Sequence, residues 1–208
     1  MYTGIVQGLE KVVNIQQGDN FTTLFISNDN DFFNDIFIGA SVAIEGVCLT
    51  ATSYDNVLNM VSFDVAQVSN TLTTLQFLKI GNTVNVERSI KAGMENGGHS
   101  LFGHIEGMAT VKNAERTGET LHLDITIPDD NIKYFFKKGF IGLQGCSLTV
   151  NRVDRENSEI SVDLIPETLR LTTFKDVQVG DKINFEIDQM TRTMVDTLES
   201  IHARQNNQ

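Results

Sequence analysis

Four side chains of this chain pair a chemistry-bearing group with a special position: Ser41, Cys48, His104 and Asp188. Ser41 and Cys48 each stand two residues after a glycine, His104 follows Gly103, and Asp188 closes the alternating run Phe185-Glu186-Ile187-Asp188. Hydroxyl, thiol, imidazole and carboxylate are together the groups of acid–base chemistry, and an imidazole titrates nearest neutrality. Each also has a plainer reading. A lone cysteine packs as a small hydrophobe. A serine at a strand start faces solvent, and Asp188 with Thr191 can cap a following helix. His104 stands apart, because the residue in its place elsewhere in the chain is the apolar Ile5. No Walker loop, dinucleotide glycine fingerprint or Cys-x-x-Cys is present. His99 and His104 are five apart, which on a strand sends them to opposite faces, so no shared metal is expected.

The elements that must position these groups are written twice. Gly4-Ile5-Val6-Gln7-Gly8 lies over Gly103-His104-Ile105-Glu106-Gly107 at an offset of 99 residues. The same offset lays Glu45-Gly46-Val47-Cys48-Leu49-Thr50 over Gln144-Gly145-Cys146-Ser147-Leu148-Thr149, and Val84-Asn85-Val86-Glu87 over Ile183-Asn184-Phe185-Glu186. A unit of that length, present twice, is a small domain rather than a solenoid repeat. Two related pockets are therefore expected.

Period-2 patterns dominate both copies, as in Ser41–Glu45, Thr83–Glu87, Leu121–Ile127 and Lys182–Glu186. Each copy reads as about six short antiparallel strands closing into a barrel, which removes free sheet edges. Residues 31–37 and 130–138 read as short helical patches at matching places, plugging a barrel end. The expected divisions are a barrel over 1–97, a second over 98–188 and a tail over 189–208. In the tail, Met190, Met194, Leu198 and Ile201, with Val195 beside them, form an apolar helical stripe. A lone helix must bury such a stripe, either on its own barrel or against another subunit.

The formal charge is −11 with no basic run, which argues against nucleic acid as a partner. No apolar run approaches a membrane span and no signal peptide is read at Met1–Val6, so a cytoplasmic protein is expected. Cys48 and Cys146 fall on opposite faces of matching strands, which disfavours a disulfide.

These residues resemble the riboflavin synthase family (alpha-chain type), built of lumazine-binding repeats. The resemblance is carried by Met1-Tyr2-Thr3-Gly4-Ile5-Val6, Gly39-Ala40-Ser41-Val42, Gly46-Val47-Cys48-Leu49-Thr50 and Gly97-Gly98-His99 with Gly103-His104-Ile105. Lys138-Gly139-Phe140-Ile141-Gly142, Gly145-Cys146-Ser147-Leu148-Thr149 and Ile165-Pro166-Glu167-Thr168-Leu169-Arg170 complete it. It implies an all-β fold of two homologous six-stranded Greek-key barrels with a C-terminal helix that holds a homotrimer. It also implies the last step of riboflavin biosynthesis: two 6,7-dimethyl-8-ribityllumazine molecules dismutate by transfer of a four-carbon unit. The products are riboflavin and 5-amino-6-ribitylamino-uracil, and no metal or redox cofactor takes part. The site would lie between subunits, and lumazine synthase is implied as a further partner.

By the same resemblance, Ser41, Cys48, His104 and Asp188 surround the reacting groups. One lumazine would contact Gly4, Ile5, Val6, Cys48, Leu49 and Thr50, together with Asp64, Val65, Ala66, Gln67, Val68 and Ser69. The other would contact Gly103, His104, Ile105, Lys138, Ser147, Leu148 and Thr149, with Ile165, Pro166, Glu167, Thr168, Leu169 and Arg170. Two places depart from the family pattern. The first copy has Gln67-Val68-Ser69-Asn70-Thr71 where the second has Pro166-Glu167-Thr168-Leu169-Arg170, and Phe102 precedes Gly103-His104 where a small residue is usual. A rival reading is a non-catalytic antenna of the lumazine protein or yellow fluorescent protein type, which shares the barrels and binds lumazine or flavin.

Overall fold

The alternating segments form strands in the computed structural model, which describes residues 1–206. Residues 207 and 208, at the end of the expected tail, lie outside the described residues. In the first copy β1 (Gly8–Gln17), β2 (Phe21–Ser27), β3 (Ser41–Ile44), β4 (Val47–Asp55), β5 (Met60–Ala66) and β6 (Thr83–Arg88) close a barrel in the order β1-β2-β5-β4-β3-β6. Every pairing is antiparallel. A short helix α1 (Gln67–Leu72) joins β5 towards β6.

The second copy repeats the topology with one change. Its strands β7 (Gly107–Thr117), β8 (Thr120–Thr126), β9 (Phe140–Leu143), β10 (Cys146–Thr149), β11 (Arg152–Asp154), β12 (Glu159–Leu164) and β13 (Lys182–Ile187) make a seven-stranded sheet. The order is β10-β9-β13-β7-β8-β12-β11, and α2 (Pro166–Leu171) matches α1. The count exceeds the expected six because the equivalent of β4 breaks at Val150-Asn151. The Val150 N–H donates to the Gly139 carbonyl (2.9 Å) just as the Ala51 N–H donates to that of Ala40 (2.9 Å) in the first copy. There, however, β4 runs on through a bulge between Ala51 and Ser53, whereas here the ladder resumes only at Arg152. Since β10 and β11 are consecutive in the chain, the ring closes through the backbone rather than through a ladder.

The inward positions fill two separate cores. Val42, Ile44, Val47 and Leu49 join Phe33, Phe63, Val84 and Val86 in one. Ile141, Leu143, Cys146 and Leu148 join Phe135, Phe174, Ile183 and Phe185 in the other. Both barrels are solid, so any ligand must bind outside them. The expected helical patches are less regular than read. Residues 32–35 form turns after a left-handed Asp31 (φ +59°), and only Asp129–Tyr134 forms a helix, a two-turn 3-10 helix. Phe33 and Phe135 still enter the cores and Phe32 packs against the first, while Phe37 and Phe136 stay exposed.

The two copies are interlocked. Tyr2 and Leu101 exchange two backbone hydrogen bonds (2.7 and 3.0 Å), joining the segment before β1 to the segment before β7. Val6 then enters the core of the second barrel, while Ile105 packs on the core of the first. Outward positions of β6 and β13, and the turn residue Glu45 after β3, are consequently buried: Glu45, Asn85, Glu87, Asn184 and Glu186 are at most 4% exposed. A strand pattern predicts solvent at such positions; here the other copy bonds Asn85 and Asn184, and the segments before β1 and β7 cover Glu87 and Glu186.

The tail is a helix, α3 (Gln189–Asn206). Val195 packs on the second core, and the Tyr134 hydroxyl donates to Asp196 at 2.6 Å. The rest of the stripe is not covered by its own chain: Met190, Met194, Leu198 and Ile201 are 75%, 65%, 56% and 44% exposed. No helix among the described residues is long and apolar enough to cross a membrane.

Candidate active site

Strand pairing sorts the candidates onto one outer barrel face. Ser41 stands opposite Thr50 and Ala43 opposite Cys48, so these four alternate with the core residues Val42, Val47 and Leu49. The second barrel repeats the face, with Phe140 opposite Thr149 and Gly142 opposite Ser147. The interlocking segments lie across these faces. The Cys48 N–H donates to the Gly103 carbonyl (3.1 Å), and the Ser147 N–H donates to the Gly4 carbonyl (2.8 Å). Gly103 has φ +73° and a Cβ there would lie 2.5 Å from the Cys48 Cβ; Gly4 has φ +72° and would meet the Ser147 Cβ at the same distance. Only glycine permits this approach.

Two buried carboxylates hold the segments in place. Glu87 accepts from the Thr3 N–H (2.6 Å), the Thr3 hydroxyl (2.8 Å) and the Gly4 N–H (3.2 Å). Glu186 accepts from the Phe102 N–H (2.7 Å) and the Gly103 N–H (3.0 Å). Burial pushes both carboxyls above their usual range, and these hydrogen bonds oppose the shift.

The expected grouping of the segments is therefore exchanged. Gly103, His104 and Ile105 sit at the face that carries Ser41, Cys48 and Thr50. Gly4, Ile5 and Val6 sit at the face that carries Ser147 and Thr149. The reason is the crossing at Tyr2 and Leu101, which sends each segment onto the opposite barrel. His104 is exposed there, with its ring 6.1 Å from that of Phe102. The departure at Phe102 thus sets an aromatic beside the imidazole.

Asp188 does not join the other three. It follows Ile187, which pairs with Ile141 in the second barrel, and its carboxylate caps α3 by accepting from the N–H (2.8 Å) and hydroxyl (2.7 Å) of Thr191. Its negative charge acts on His99. One chain thus holds Ser41, Cys48 and His104 at one face and Asp188 near the other.

The remaining candidates divide by side-chain direction. Val6, Leu49, Val65, Leu148 and Leu169 point into the cores, which leaves their backbone groups for contact. Asp64, Ala66, Gln67, Val68, Lys138, Ile165, Pro166, Glu167 and Arg170 are exposed, and Ser69 and Thr168 half-buried. Asp64 accepts from the Thr23 hydroxyl at 2.7 Å. The divergent 67–71 segment still forms a helical turn, although α1 buries no side chain whereas α2 buries Leu169.

Two groups at these faces were not singled out by sequence. The Tyr2 hydroxyl donates to the Cys48 sulfur at 3.0 Å, and burial followed by that hydrogen bond pushes the phenol well above its usual range. His99 is buried and stacked on Phe140 (centroids 4.9 Å, 15° between planes), with Nδ1 2.6 Å from the Ser147 hydroxyl. Burial pushes its imidazole below the usual value, and the Asp188 charge opposes this. The one available signal was that Ser147 takes the place of Cys48 under the repeat, so each face has its own polar partner.

The sequence profile described as "Lumazine binding domain" matches residues 3–89 and 102–188. The chain belongs to the lumazine-binding riboflavin synthase family. It is 40% identical to riboflavin synthase of Escherichia coli (strain K12) over all of this chain and 96% of the relative. It is 38% identical to riboflavin synthase of Buchnera aphidicola subsp. Schizaphis graminum over 97% of this chain and 95% of that one. Among solved structures, LumP complexed with 6,7-dimethyl-8-(1'-D-ribityl) lumazine aligns at TM-score 0.80 and 27% identity. LumP complexed with riboflavin aligns at 0.81 and 29%, each covering 91% of this chain and all of the other.

Proposed function

We propose that this chain is a riboflavin synthase that dismutates two 6,7-dimethyl-8-ribityllumazine molecules. A lumazine-binding barrel over 1–97 and another over 98–188 each hold one molecule on the outer face described above. The observation that carries the reading is the pairing of two such faces with unlike chemistry. Under the repeat, Ser41 is replaced by Phe140, Cys48 by Ser147 and His104 by Ile5.

In the reaction a base removes a proton from the acidic 7-methyl group of one lumazine, and a nucleophile such as water adds to the other. The four-carbon unit then passes between them, giving riboflavin and 5-amino-6-ribitylamino-uracil. His104 serves as the proton shuttle, with Ser41 and Cys48 beside it. Thr50, Thr149 and Ser147 offer hydroxyls, and the strand backbones offer N–H and C=O groups to the rings. Holding donor and acceptor face to face supplies much of the rate.

The separation of Asp188 from Ser41, Cys48 and His104 supports a site shared between subunits. The uncovered stripe of Met190, Met194, Leu198 and Ile201 supports residues 189–208 as the device that builds a homotrimer. A cytoplasmic location and association with lumazine synthase belong to the same reading. The LumP likeness favours a second reading, lumazine binding without turnover. His104→Gln separates the two: turnover should fall by about 100-fold while lumazine still binds. Unchanged turnover in a folded variant would remove His104 from the mechanism.

A further inference from the structure

A cavity of about 550 Å3 opens between the barrels, away from both lumazine faces. Both copies build it from equivalent positions: Glu45 with Gln144, Thr74 with Thr173, and Thr83 with Lys182. Its volume is that of a small-molecule pocket. None of Ser41, Cys48, Thr50, His104, Ser147 or Thr149 lines it.

The two copies treat one position differently. Gln144 Oε1 accepts from the Asn184 N–H (2.9 Å), and Glu45 Oε1 accepts in the same way from the Asn85 N–H (2.6 Å). The structural task thus needs one carbonyl-type oxygen, and an amide performs it. Glu45 carries a second oxygen, Oε2, which is buried without a hydrogen-bond partner, and so is the Thr74 hydroxyl. The Asn184 side chain ties the two residues together, accepting from the Thr74 N–H (2.7 Å) and donating to the Glu45 carbonyl (2.9 Å). A buried polar atom left unpaired is costly, so a fold that needed only packing here would have no use for a carboxyl.

We propose that this inter-barrel cavity is a second ligand site that takes a small organic cation, its ammonium group on Glu45 and Thr74 and its apolar body against Phe77. The charges lining the cavity favour this class: Asp176 and Asp181 are set against Lys182 alone, and Glu45 adds a third negative charge once its proton leaves. Cys146 lies close enough to feel the Glu45 charge, but burial pushes its thiol far above the usual range, so it adds no charge of its own. Phe77 is 55% exposed and supplies an aromatic wall that suits a cation. Burial pushes the Glu45 carboxyl up to about 8, so at neutral pH a bound ammonium draws its proton off to the buffer.

The test is calorimetric titration of the full chain with benzylamine at neutral pH, in two buffers of different ionisation enthalpy. Expected are saturable binding of one benzylammonium per chain, net proton release, and at least tenfold weaker binding by Glu45→Gln. Glu45→Gln should keep its lumazine turnover, because Gln144 already shows that glutamine serves the backbone. Benzyl alcohol, the neutral counterpart, should bind at least tenfold more weakly to the unmodified chain. Three results would each overturn the proposal: no saturable binding at millimolar benzylamine, equal affinity for benzyl alcohol, or undiminished binding by a folded Glu45→Gln.

Discussion

Gly103→Ala is the sharpest perturbation of the interlocked architecture, because one methyl group meets three things at once. The residue is left-handed (φ +73°), its new Cβ would stand 2.5 Å from the Cys48 Cβ and 2.6 Å from the Cys48 nitrogen, and its own N–H is held by Glu186. The conformational cost alone is about 1–2 kcal/mol. The collision is with backbone, so the segment must lift. That breaks the Cys48–Gly103 hydrogen bond, worth about 1 kcal/mol, and the bond to the Glu186 carboxylate, worth about 1.5–3 kcal/mol. The total is roughly 4–6 kcal/mol. Gly118→Ala is the control: it has φ +61° in the turn between β7 and β8, with nothing within 4 Å of a Cβ. Urea unfolding of both variants should show Gly118→Ala losing only the conformational cost. Because His104 rides on the lifted segment, Gly103→Ala should also lose turnover in whatever fraction remains folded. Equal stability losses in the two variants, with turnover kept in Gly103→Ala, would refute the argument that this segment is pinned against Cys48.

Two further outcomes are expected. Glu45 has a folded-state pKa of about 8 against an ordinary 4.5, so between those values the folded chain keeps a proton that the unfolded chain has released. Its stabilising contribution is complete below the lower value and falls by about 1.4 kcal/mol per pH unit through the window; Glu45→Gln should remove that slope, leaving Glu87 and Glu186 common to both proteins. Leu198→Glu, on the uncovered stripe of α3, should yield monomers by sedimentation with the barrels still folded, and an unchanged trimer would remove α3 from the assembly.

Much of the fold was legible because period-2 patterning and the duplication are both written in the chain. Leu121–Ile127 and Lys182–Glu186 read as strands and are strands. The break after Thr149 was not legible, since Val150 and its counterpart Ala51 donate to equivalent carbonyls, and the first copy carries the same irregularity as a bulge within β4. Nor was the exchange of Val6 and Ile105 between cores, which depends on the crossing of Tyr2 and Leu101 and leaves no mark on local pattern. That exchange is why Gly103–Ile105 and Gly4–Val6 appear at the opposite faces from those expected. Asp188 shows the other limit: its capping role was visible from Thr191, but its distance from Cys48 was not. Outward polar residues such as Asn85 and Glu186 looked solvated, because alternation reports which face is apolar and not what covers the other face.

The most direct measurement mixes the purified chain with 6,7-dimethyl-8-ribityllumazine alone and follows absorbance and fluorescence. The account predicts conversion to the riboflavin spectrum, with one flavin formed for every two lumazines consumed. A spectrum that shifts on binding and then never changes would contradict it, and would make the chain a lumazine carrier built on the same two barrels.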